Sequence, residues 1–272
     1  MVGLKDVKFM NIHELFSLKD KCAIVTGGAG WLGSAISEGL AQAGAKVAII
    51  DFNQEYLGKT VGDLKQSGLE VTGYKADVMH EVELPKCIDD VTSDLSRLDI
   101  FVNCAYVGTS PEIDEATFAD FDKAFHNGAS SYGIAAQTAV RHMRKIGGGK
   151  IINIGSMYGM VTGYPEVYAG VTKPNPITYQ ATKAAVIHMT KYMAVYWAKD
   201  NIRVNCISPG PFLQRDMPEK LPEFARRISQ KVPMGRFGQP HEIKGAAVFL
   251  ASDASSFITG QNIVIDGGWT IW

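Results

Sequence analysis

The sequence predicts a single α/β domain in which helices cover both faces of one doubly wound parallel sheet. Short apolar runs rich in valine and isoleucine alternate with amphipathic stretches along almost the whole chain of 272 residues. Continuous apolar runs are typical of parallel strands buried on both faces. Their alternation with helices gives right-handed β-α-β crossovers. No internal repeat or linker divides the chain, so we expect one domain over residues 1–272.

Seven apolar runs are the predicted strands: Cys22–Thr26, Lys46–Asp51, Val71–Lys75, Ile100–Asn103, Lys150–Ile154, Arg203–Ile207 and Asn262–Ile265. Six amphipathic stretches between them are the predicted helices: Leu32–Ala43, Gln54–Ser67, Glu81–Leu95, Phe118–Lys145, Thr178–Lys199 and His241–Ala251. The segment Met157–Pro176 interrupts this alternation. It is rich in glycine and proline, which predicts an irregular segment with no element of its own.

Composition and charge exclude several functions. With 46% hydrophobic and 20% charged residues the chain can bury a large core. A net charge of −1 without a basic run argues against nucleic acid and a charged membrane surface as partners. No stretch approaches the ~20 apolar residues of a membrane span, and no signal-peptide core is present. The four cysteines form no C-x-x-C pair and the histidines show no metal spacing. We therefore expect a cytoplasmic protein with free thiols and no metal.

A glycine-rich turn, Thr26-Gly-Gly-Ala-Gly-Trp-Leu-Gly33, follows the first predicted strand and opens the first predicted helix. Gly27, Gly30 and Gly33 allow a sharp turn, close approach of the backbone to a pyrophosphate, and tight helix–strand packing. The helix N-terminus offers free N–H groups to phosphate. Asp51 ends the second strand, where a carboxylate accepts hydrogen bonds from ribose hydroxyls and repels a 2′-phosphate. The pattern favours NAD(H) over NADP(H). The alternative for the glycine turn is a plain connection between strand and helix, and the alternative for Asp51 is a solvated acid at a strand end.

Tyr179 and Lys183 are four residues apart in a predicted helix and therefore lie on one face. An ammonium beside a phenol favours the phenolate and lowers a pKa that starts near ~10. Such a tyrosine can donate or accept a proton near neutral pH, as alcohol oxidation and carbonyl reduction require. Two solvated helix residues give the same spacing by chance, so its weight comes from the surrounding motifs.

Together these motifs resemble the short-chain dehydrogenase/reductase superfamily in its compact form, from about Leu18 to Gly268. The other motifs that carry the likeness are, in chain order, Asp77-Val78, Asn103-Cys-Ala105, Asn127, Asn153-Ile-Gly-Ser156, Ile202-Arg-Val-Asn205, Pro209-Gly210 and Asp266-Gly-Gly268. The resemblance implies a Rossmann-type sheet with strand order 3-2-1-4-5-6-7, with the cofactor across the switch point between strands 1 and 4.

The resemblance also implies the role of each site residue. The catalytic tetrad would be Asn127, Ser156, Tyr179 and Lys183. Tyr179 would be the general acid/base, and Ser156 would hydrogen-bond the substrate oxygen. Lys183 would hold the nicotinamide ribose and lower the tyrosine pKa, while Asn127 would anchor a water that relays protons. The expected cofactor-binding residues are Gly27, Gly30, Trp31, Leu32, Gly33, Asp51, Asp77, Val78, Asn103, Ala105, Tyr179, Lys183, Pro209 and Gly210.

Three departures from the family pattern concern the cofactor cleft. Trp31 stands where the compact form has a glycine, and the resulting glycine spacing is that of the extended, often nucleotide-sugar-modifying branch. Tyr106 follows the asparagine motif and puts a phenol near the cleft. Gln214 stands where a threonine often holds the carboxamide, so that contact is in doubt.

The fourth departure is the interval of 23 residues between Ser156 and Tyr179, roughly twice the usual one. Loops beside reacting atoms commonly carry specificity, so residues 157–176 and 210–235 are the expected substrate loops. The candidate substrate residues are Tyr106, Tyr164, Glu166, Tyr168 and Lys173. The tyrosines can stack on a ring or hydrogen-bond to hydroxyl groups. Glu166 can accept hydrogen bonds from substrate hydroxyls, and Lys173 can pair with a carboxylate or phosphate. A surface loop or a subunit contact is the alternative for residues 157–176.

The leading hypothesis is an NAD(H)-dependent oxidoreductase that interconverts a secondary alcohol and a ketone on a polar small molecule: a sugar, polyol or sugar acid. A nucleotide-sugar epimerase or dehydratase is the second, although only about 60 residues follow Pro209. A non-catalytic dinucleotide sensor is the third. In the family that the chain resembles, long helices such as the predicted Phe118–Lys145 and Thr178–Lys199 pair between subunits. With the apolar tail Trp269-Thr-Ile-Trp272, the resemblance implies a homo-oligomer, a dimer or tetramer.

Overall fold

The computed structural model describes residues 11–106, 108 and 110–272. Seven parallel strands form one sheet in the order β3-β2-β1-β4-β5-β6-β7, which confirms the predicted fold class and strand order. The strands are β1 Cys22–Thr26, β2 Lys46–Asp51, β3 Val71–Lys75, β4 Ile100–Asn103, β5 Gly149–Ile154, β6 Ile202–Pro209 and β7 Asn262–Ile265. Five have the predicted bounds, while β5 and β6 begin one residue earlier and β6 ends two residues later.

The α-helices of the described residues are α1 Ile12–Phe16, α2 Trp31–Gln42, α3 Gln54–Gln66, α4 Glu83–Leu95, α5 Phe118–Phe125, α6 Ser131–Lys145, α7 Pro165–Tyr168, α8 Ile177–Trp197, α9 Met217–Lys220, α10 Pro222–Lys231 and α11 Lys244–Ala251. The predicted helix Phe118–Lys145 is two helices joined by a π-helical segment, His126–Ser130. The predicted helix His241–Ala251 is a 3₁₀ turn followed by α11. Among the described helices, none is both long and apolar enough to cross a membrane.

Strand residues alternate between the two faces of the sheet, because successive side chains of a strand point in opposite directions. On β1, Val25 packs in a cluster with residues of α2 and α11, such as Leu40 and Leu250. Its neighbour Ile24 packs in the opposite cluster with residues of α4 and α6, such as Ile88. The carboxyl ends of the strands therefore meet along one edge between the two helical layers, and the functional side chains lie along this edge.

The prediction that residues 157–176 hold no element of their own is wrong. They contain a 3₁₀ turn, Met157–Gly159, and the short helix α7. Proline at the first turn of a helix has no N–H to lose there, so Pro165 starts α7. Val167 and Tyr168 of α7 are buried against α10 and Trp269 in a third apolar cluster. Trp269 of the tail is therefore buried in its own chain.

Candidate active site

The glycine turn packs closely against the loop that follows β4. Gly27 has a φ of +63°, and a Cβ there would lie 2.7 Å from Cα of Ala105. A Cβ on Gly33 would lie 2.0 Å from the carbonyl oxygen of Gly27. Both positions require glycine, the first for its backbone conformation and both for lack of space. The turn leaves an open cradle at the N-terminus of α2, which fits the pyrophosphate of a dinucleotide.

Asp51 is buried at the end of β2 with both carboxylate oxygens held in place. One oxygen accepts a hydrogen bond from the N–H of Ala29 at 3.1 Å, and the other accepts one from the N–H of Asn53 at 3.0 Å. Each oxygen keeps a free acceptor site, so the carboxylate can still accept from ribose hydroxyls. Lys183 is the one Lys or Arg among the described residues lining this cavity, and it lies at the catalytic end.

A cavity of 520 Å³ runs along the edge of the sheet from the glycine turn to the catalytic side chains. It is lined by twelve of the predicted cofactor residues: Gly27, Gly30, Trp31, Leu32, Gly33, Asp51, Val78, Ala105, Tyr179, Lys183, Pro209 and Gly210. Other lining residues were not predicted: Phe52, Asn53, Tyr56, Ala76, Cys104, Phe212 and Gln214 among them. The apolar and aromatic residues among them form no recognisable sequence motif. Only their position after the end of a strand could have indicated that they line the site.

The structure does not bring two of the predicted cofactor residues to this cavity. Asp77 turns back on its own loop and accepts the N–H of Met79 at 2.9 Å. Asn103 is buried within the sheet, where its amide donates to the side-chain oxygen of Asn153 at 2.9 Å and to the carbonyl of Tyr132 at 3.2 Å. Both side chains therefore support the loops that line the cavity.

Ser156 and Tyr179 meet where the cofactor cavity adjoins a second one. Ser156 follows β5, and its hydroxyl oxygen accepts the N–H of Tyr158 at 3.1 Å. Tyr179 lies in the first turn of α8 and is hydrogen-bonded to the Ser156 side chain. Since the Ser156 oxygen already accepts from the backbone, its own proton is free to point toward Tyr179 or a substrate oxygen.

Lys183 lies one turn further along α8 and is almost fully buried, at 3% exposure. Its ammonium donates to the carbonyl of Ile154 at 2.7 Å. Burial lowers the pKa of Lys183 from 10.5 to about 8. Its nitrogen faces three aromatic rings, with distances to the ring centroids of 5.1 Å for Tyr106, 5.2 Å for Tyr132 and 5.9 Å for Tyr179.

The expectation of a lowered Tyr179 pKa is wrong for this structure. Burial raises the pKa of Tyr179 above its ordinary value, and the hydrogen bond with Ser156 acts in the opposite direction. The ammonium of Lys183 donates to the Ile154 carbonyl, and burial disfavours its own charge, so the lysine does not offset the effect of burial on the phenol. The structure therefore favours the neutral phenol.

Asn127 lies buried in the π-helical segment between α5 and α6. Its backbone carbonyl accepts a hydrogen bond from the Ser131 hydroxyl at 2.5 Å. A Cβ on the next residue, Gly128, would lie 2.2 Å from the methyl of Thr182 on α8. The glycine thus lets this segment pack directly against α8, within one turn of both Tyr179 and Lys183.

The second cavity, of 450 Å³, adjoins Ser156 and Tyr179 on the side away from the glycine turn. Three of the candidate substrate residues line it: Tyr106, Tyr168 and Lys173. The structure does not bring the other two to it. Tyr164 donates its hydroxyl to the carbonyl of Trp272 at 3.1 Å, and Glu166 pairs with Lys231 at 2.8 Å. Both are therefore used to hold the loop against α10 and the tail.

Most of the remaining wall of this second cavity lies within the two expected substrate loops, residues 157–176 and 210–235, but its individual residues were not predicted. Its apolar members come from the start of the insertion, the loop after β6, α9 and α10: Met157, Phe212, Leu213, Met217, Leu221, Phe224 and Ile228. Tyr158 and Tyr168 place a pair of phenols in this wall, with their hydroxyl groups hydrogen-bonded to each other. The pair uses one of its two O–H donors internally, so one donor and several acceptor sites are left for a ligand.

Known proteins match this chain over almost its whole length. A family model described as enoyl-(acyl carrier protein) reductase matches residues 28–270. Sorbose reductase of Candida albicans is 36% identical over 268 residues, covering 96% of this chain and 90% of that protein. Gluconate 5-dehydrogenase of Gluconobacter oxydans is 35% identical over 270 residues, covering 96% of this chain and 99% of that protein.

Solved structures show the same architecture. A short-chain type dehydrogenase/reductase from Mycobacterium marinum has a TM-score of 0.88 and 32% identity, covering 96% of this chain and 100% of that one. A gluconate 5-dehydrogenase from Burkholderia cenocepacia, in complex with NADP and tartrate, has a TM-score of 0.84 and 31% identity, covering 96% and 99%. These matches identify the chain as an oxidoreductase of a class that binds a nicotinamide cofactor. The chain belongs to the short-chain dehydrogenase/reductase family.

Proposed function

We propose that this chain is an NAD(H)-dependent oxidoreductase that interconverts a secondary alcohol and a ketone on a polar small molecule, such as a sugar, polyol or sugar acid. The observation that carries the proposal is the shared position of Ser156 and Tyr179. Both line the cofactor cavity and the second cavity, and they are hydrogen-bonded to each other. A carbonyl or hydroxyl oxygen at this junction reaches both hydroxyl groups at once.

Each catalytic side chain has a task that follows from its contacts. Tyr179 exchanges a proton with the substrate oxygen, as a general acid in reduction and as a base in oxidation. Ser156 donates its free O–H to that oxygen and stabilises the charge that develops there. Lys183 holds a positive charge beneath Tyr179 and favours the phenolate that oxidation needs. The nicotinamide ring, when bound, accepts or supplies the hydride.

The residues around Asp51 support a preference for NAD(H). The carboxylate is fixed by two backbone donors, so it cannot easily turn away from a 2′-phosphate. Its neighbour Phe52 is half exposed and uncharged, and the one lining cation, Lys183, lies at the other end of the cavity. The Burkholderia relative was solved with NADP, so the proposed preference for NAD(H) rests on these side chains of this chain.

The polar groups in the wall of the second cavity support a polar substrate. They include the phenol pair of Tyr158 and Tyr168, together with Gln214, Asn175 and Lys173. Hydroxyl groups of a sugar or polyol match donors and acceptors of this kind, and a carboxylate could pair with the lysine. The relatives named sorbose reductase and gluconate 5-dehydrogenase support the same substrate class.

The test is a screen of the purified protein with NAD⁺ against polyols, sugar acids and sugars. Turnover is measured as the increase in NADH absorbance, at several pH values. Steroid and simple aliphatic secondary alcohols form the apolar comparison panel. We expect turnover within the polar panel. Turnover confined to the apolar panel would contradict the substrate class, and binding of NAD⁺ without turnover of any secondary alcohol would favour a sensor.

Exposed apolar side chains on α8 support the proposal of a homo-oligomer. Tyr192, Val195 and Tyr196 are 68%, 82% and 54% exposed. A partner helix packed on this face would remove them from water, a gain of ~25 cal/mol per Å² of apolar surface. We expect a dimer or tetramer by light scattering, and a monomer at micromolar concentration would contradict the proposal.

A further inference from the structure

The ammonium of Lys183 is buried among groups that are neutral at ordinary pH. The ionisable side chains that face it are Tyr179 on its own helix, Tyr106 after β4, Tyr132 on α6, and two cysteines, Cys104 and Cys206. Among the described residues, no carboxylate contributes to its pKa. Whether Lys183 stays charged therefore depends on the few dipoles that its N–H groups reach.

Tyr132 supplies one of these dipoles. Its hydroxyl oxygen lies 3.5 Å from the nitrogen of Lys183, in position to accept a hydrogen bond from the ammonium. The same hydroxyl can donate to the carbonyl of Ile154, also at 3.5 Å. That carbonyl is the other acceptor of Lys183, at 2.7 Å. The three groups form a triangle in which the phenol completes the contacts of the charged nitrogen.

The position of Tyr132 is itself fixed by buried polar contacts. The side chain is 2% exposed, and its backbone carbonyl accepts the amide of Asn103 at 3.2 Å. Asn103 is bonded to Asn153, whose amide donates to the hydroxyl of Thr190 on α8 at 2.9 Å. The chain of contacts joins α6, β4, β5 and α8. It therefore sets the distance between the Tyr132 hydroxyl and the helix that carries Lys183.

We propose that Tyr132 is a positioning residue for catalysis: its hydroxyl holds the Lys183 ammonium, charged and in place, beneath Tyr179. The inference rests on the proposed oxidoreductase function. The hydroxyl accepts a hydrogen bond from the charged form of the lysine and so favours that form. The charge in turn favours the Tyr179 phenolate, the form that takes a proton from an alcohol. Tyr132 is outside the predicted tetrad and touches neither cavity, so it acts only through Lys183.

The test is Tyr132→Phe, which keeps the ring over the ammonium and removes only the hydroxyl. In alcohol oxidation, log kcat/KM rises with pH until Tyr179 is deprotonated. We expect this limb to move to higher pH in the variant, by at most about one unit, the amount by which the loss of one hydrogen bond lowers the pKa of the lysine. On this limb, activity at a fixed pH then falls by up to about tenfold, and the fall is in kcat rather than in KM.

The matched control is Tyr74→Phe. The hydroxyl of Tyr74 bonds Asp94 at 3.0 Å on the opposite edge of the sheet from the substrate cavity. We expect it to leave the pH profile unchanged. A Tyr132→Phe profile that superimposes on that of the unmodified protein would overturn the proposal. A Tyr132→Phe protein that fails to fold would also overturn it, because a positioning role predicts a folded variant.

A second measurement needs no substrate and separates this proposal from the proposed function. Protein labelled with ¹³C at the lysine ε-carbon reports each lysine's titration by NMR, and Lys183→Arg identifies the signal. In the unmodified protein, Lys183 should titrate at about pH 8. In Tyr132→Phe it should titrate about one unit lower. Equal titration in both proteins would refute the role of Tyr132 even if the enzyme's substrate were never found.

Discussion

Replacing Lys183 by methionine should stabilise the protein while removing its activity. Methionine has a similar length, fills the same buried space and carries no charge. The pKa of Lys183 falls from 10.5 in the unfolded chain to about 8 in the fold because of burial. Each pKa unit corresponds to ~1.36 kcal/mol, so a difference of about 2.5 units corresponds to about 3.4 kcal/mol of unfolding free energy. At neutral pH the unmodified protein is destabilised by that amount.

The sign and the pH window follow from proton binding. Below pH 8 the lysine is protonated in both states, so the whole cost of burying its charge is present. Between about pH 8 and 10.5 the unfolded chain holds a proton that the folded chain has released. Stability therefore rises with pH in this window. Methionine has no such cost at any pH, and its advantage should shrink across the same window.

The net gain at neutral pH is smaller than the full cost. Methionine leaves the Ile154 carbonyl without the donor that Lys183 supplies, a loss of ~1 kcal/mol. We expect the unfolding free energy of Lys183→Met to exceed that of the unmodified protein by about 2 kcal/mol at pH 7. The difference between the two proteins should fall by about 3 kcal/mol between pH 7 and pH 10.5.

The assay is urea unfolding of both proteins at pH 7, 8, 9 and 10, with the difference in unfolding free energy plotted against pH. Other titrating groups are common to both proteins and cancel in this difference. Lys183→Met should lose turnover, as expected where an active site holds a group at a cost to stability. A difference that stays constant with pH, or a variant less stable at pH 7, would refute the reasoning.

The other predictions concern the proton donor, the cofactor and the insertion. Tyr179→Phe should keep NAD⁺ affinity and lower kcat by ~10²–10⁴; a variant with most of its turnover would exclude Tyr179 as the acid/base. In the unmodified protein, kcat/KM with NAD(H) should exceed that with NADP(H) by at least ~100-fold, since the Asp51 carboxylate repels a 2′-phosphate. Asp51→Ser with Phe52→Arg should narrow or reverse that ratio, because arginine binds phosphate bidentately; equal values before substitution would contradict the assignment. Replacing Gly163–Gly170 by a short Gly-Ser bridge removes part of the wall of the substrate cavity. It should raise substrate KM at least ~10-fold, lower kcat, and leave NAD⁺ affinity nearly unchanged; unchanged kcat and KM would show that the insertion is scaffolding.

The sheet was predictable because each buried strand is a continuous apolar run with a sharp end. Five of the seven strands have the expected bounds for this reason. The long helix Phe118–Lys145 was not fully predictable. Its π-helical segment lies where Gly128 packs against Thr182 of α8, a contact between residues more than fifty positions apart. No local pattern encodes that contact.

Candidate site residues that come directly after strands or on one helix face were also within reach of the sequence. Ser156 at the end of β5 and the pair Tyr179 and Lys183 on α8 lie together at one edge of the sheet, because parallel strands end there. Their spacing is local and their position follows from the topology. The family membership follows from the same ordered motifs.

Only the tertiary structure decided how these groups are tuned and which loop residues face the substrate cavity. Burial raises the pKa of Tyr179 and lowers that of Lys183, and burial depends on every element packed around α8. In the insertion, Tyr164 and Glu166 are held by the tail and α10, while Tyr158 lines the cavity. The sequence of a short loop is compatible with several orientations of its side chains. Contacts with α10 and the tail, which are distant in sequence, fix one orientation because they bury the apolar side of the loop.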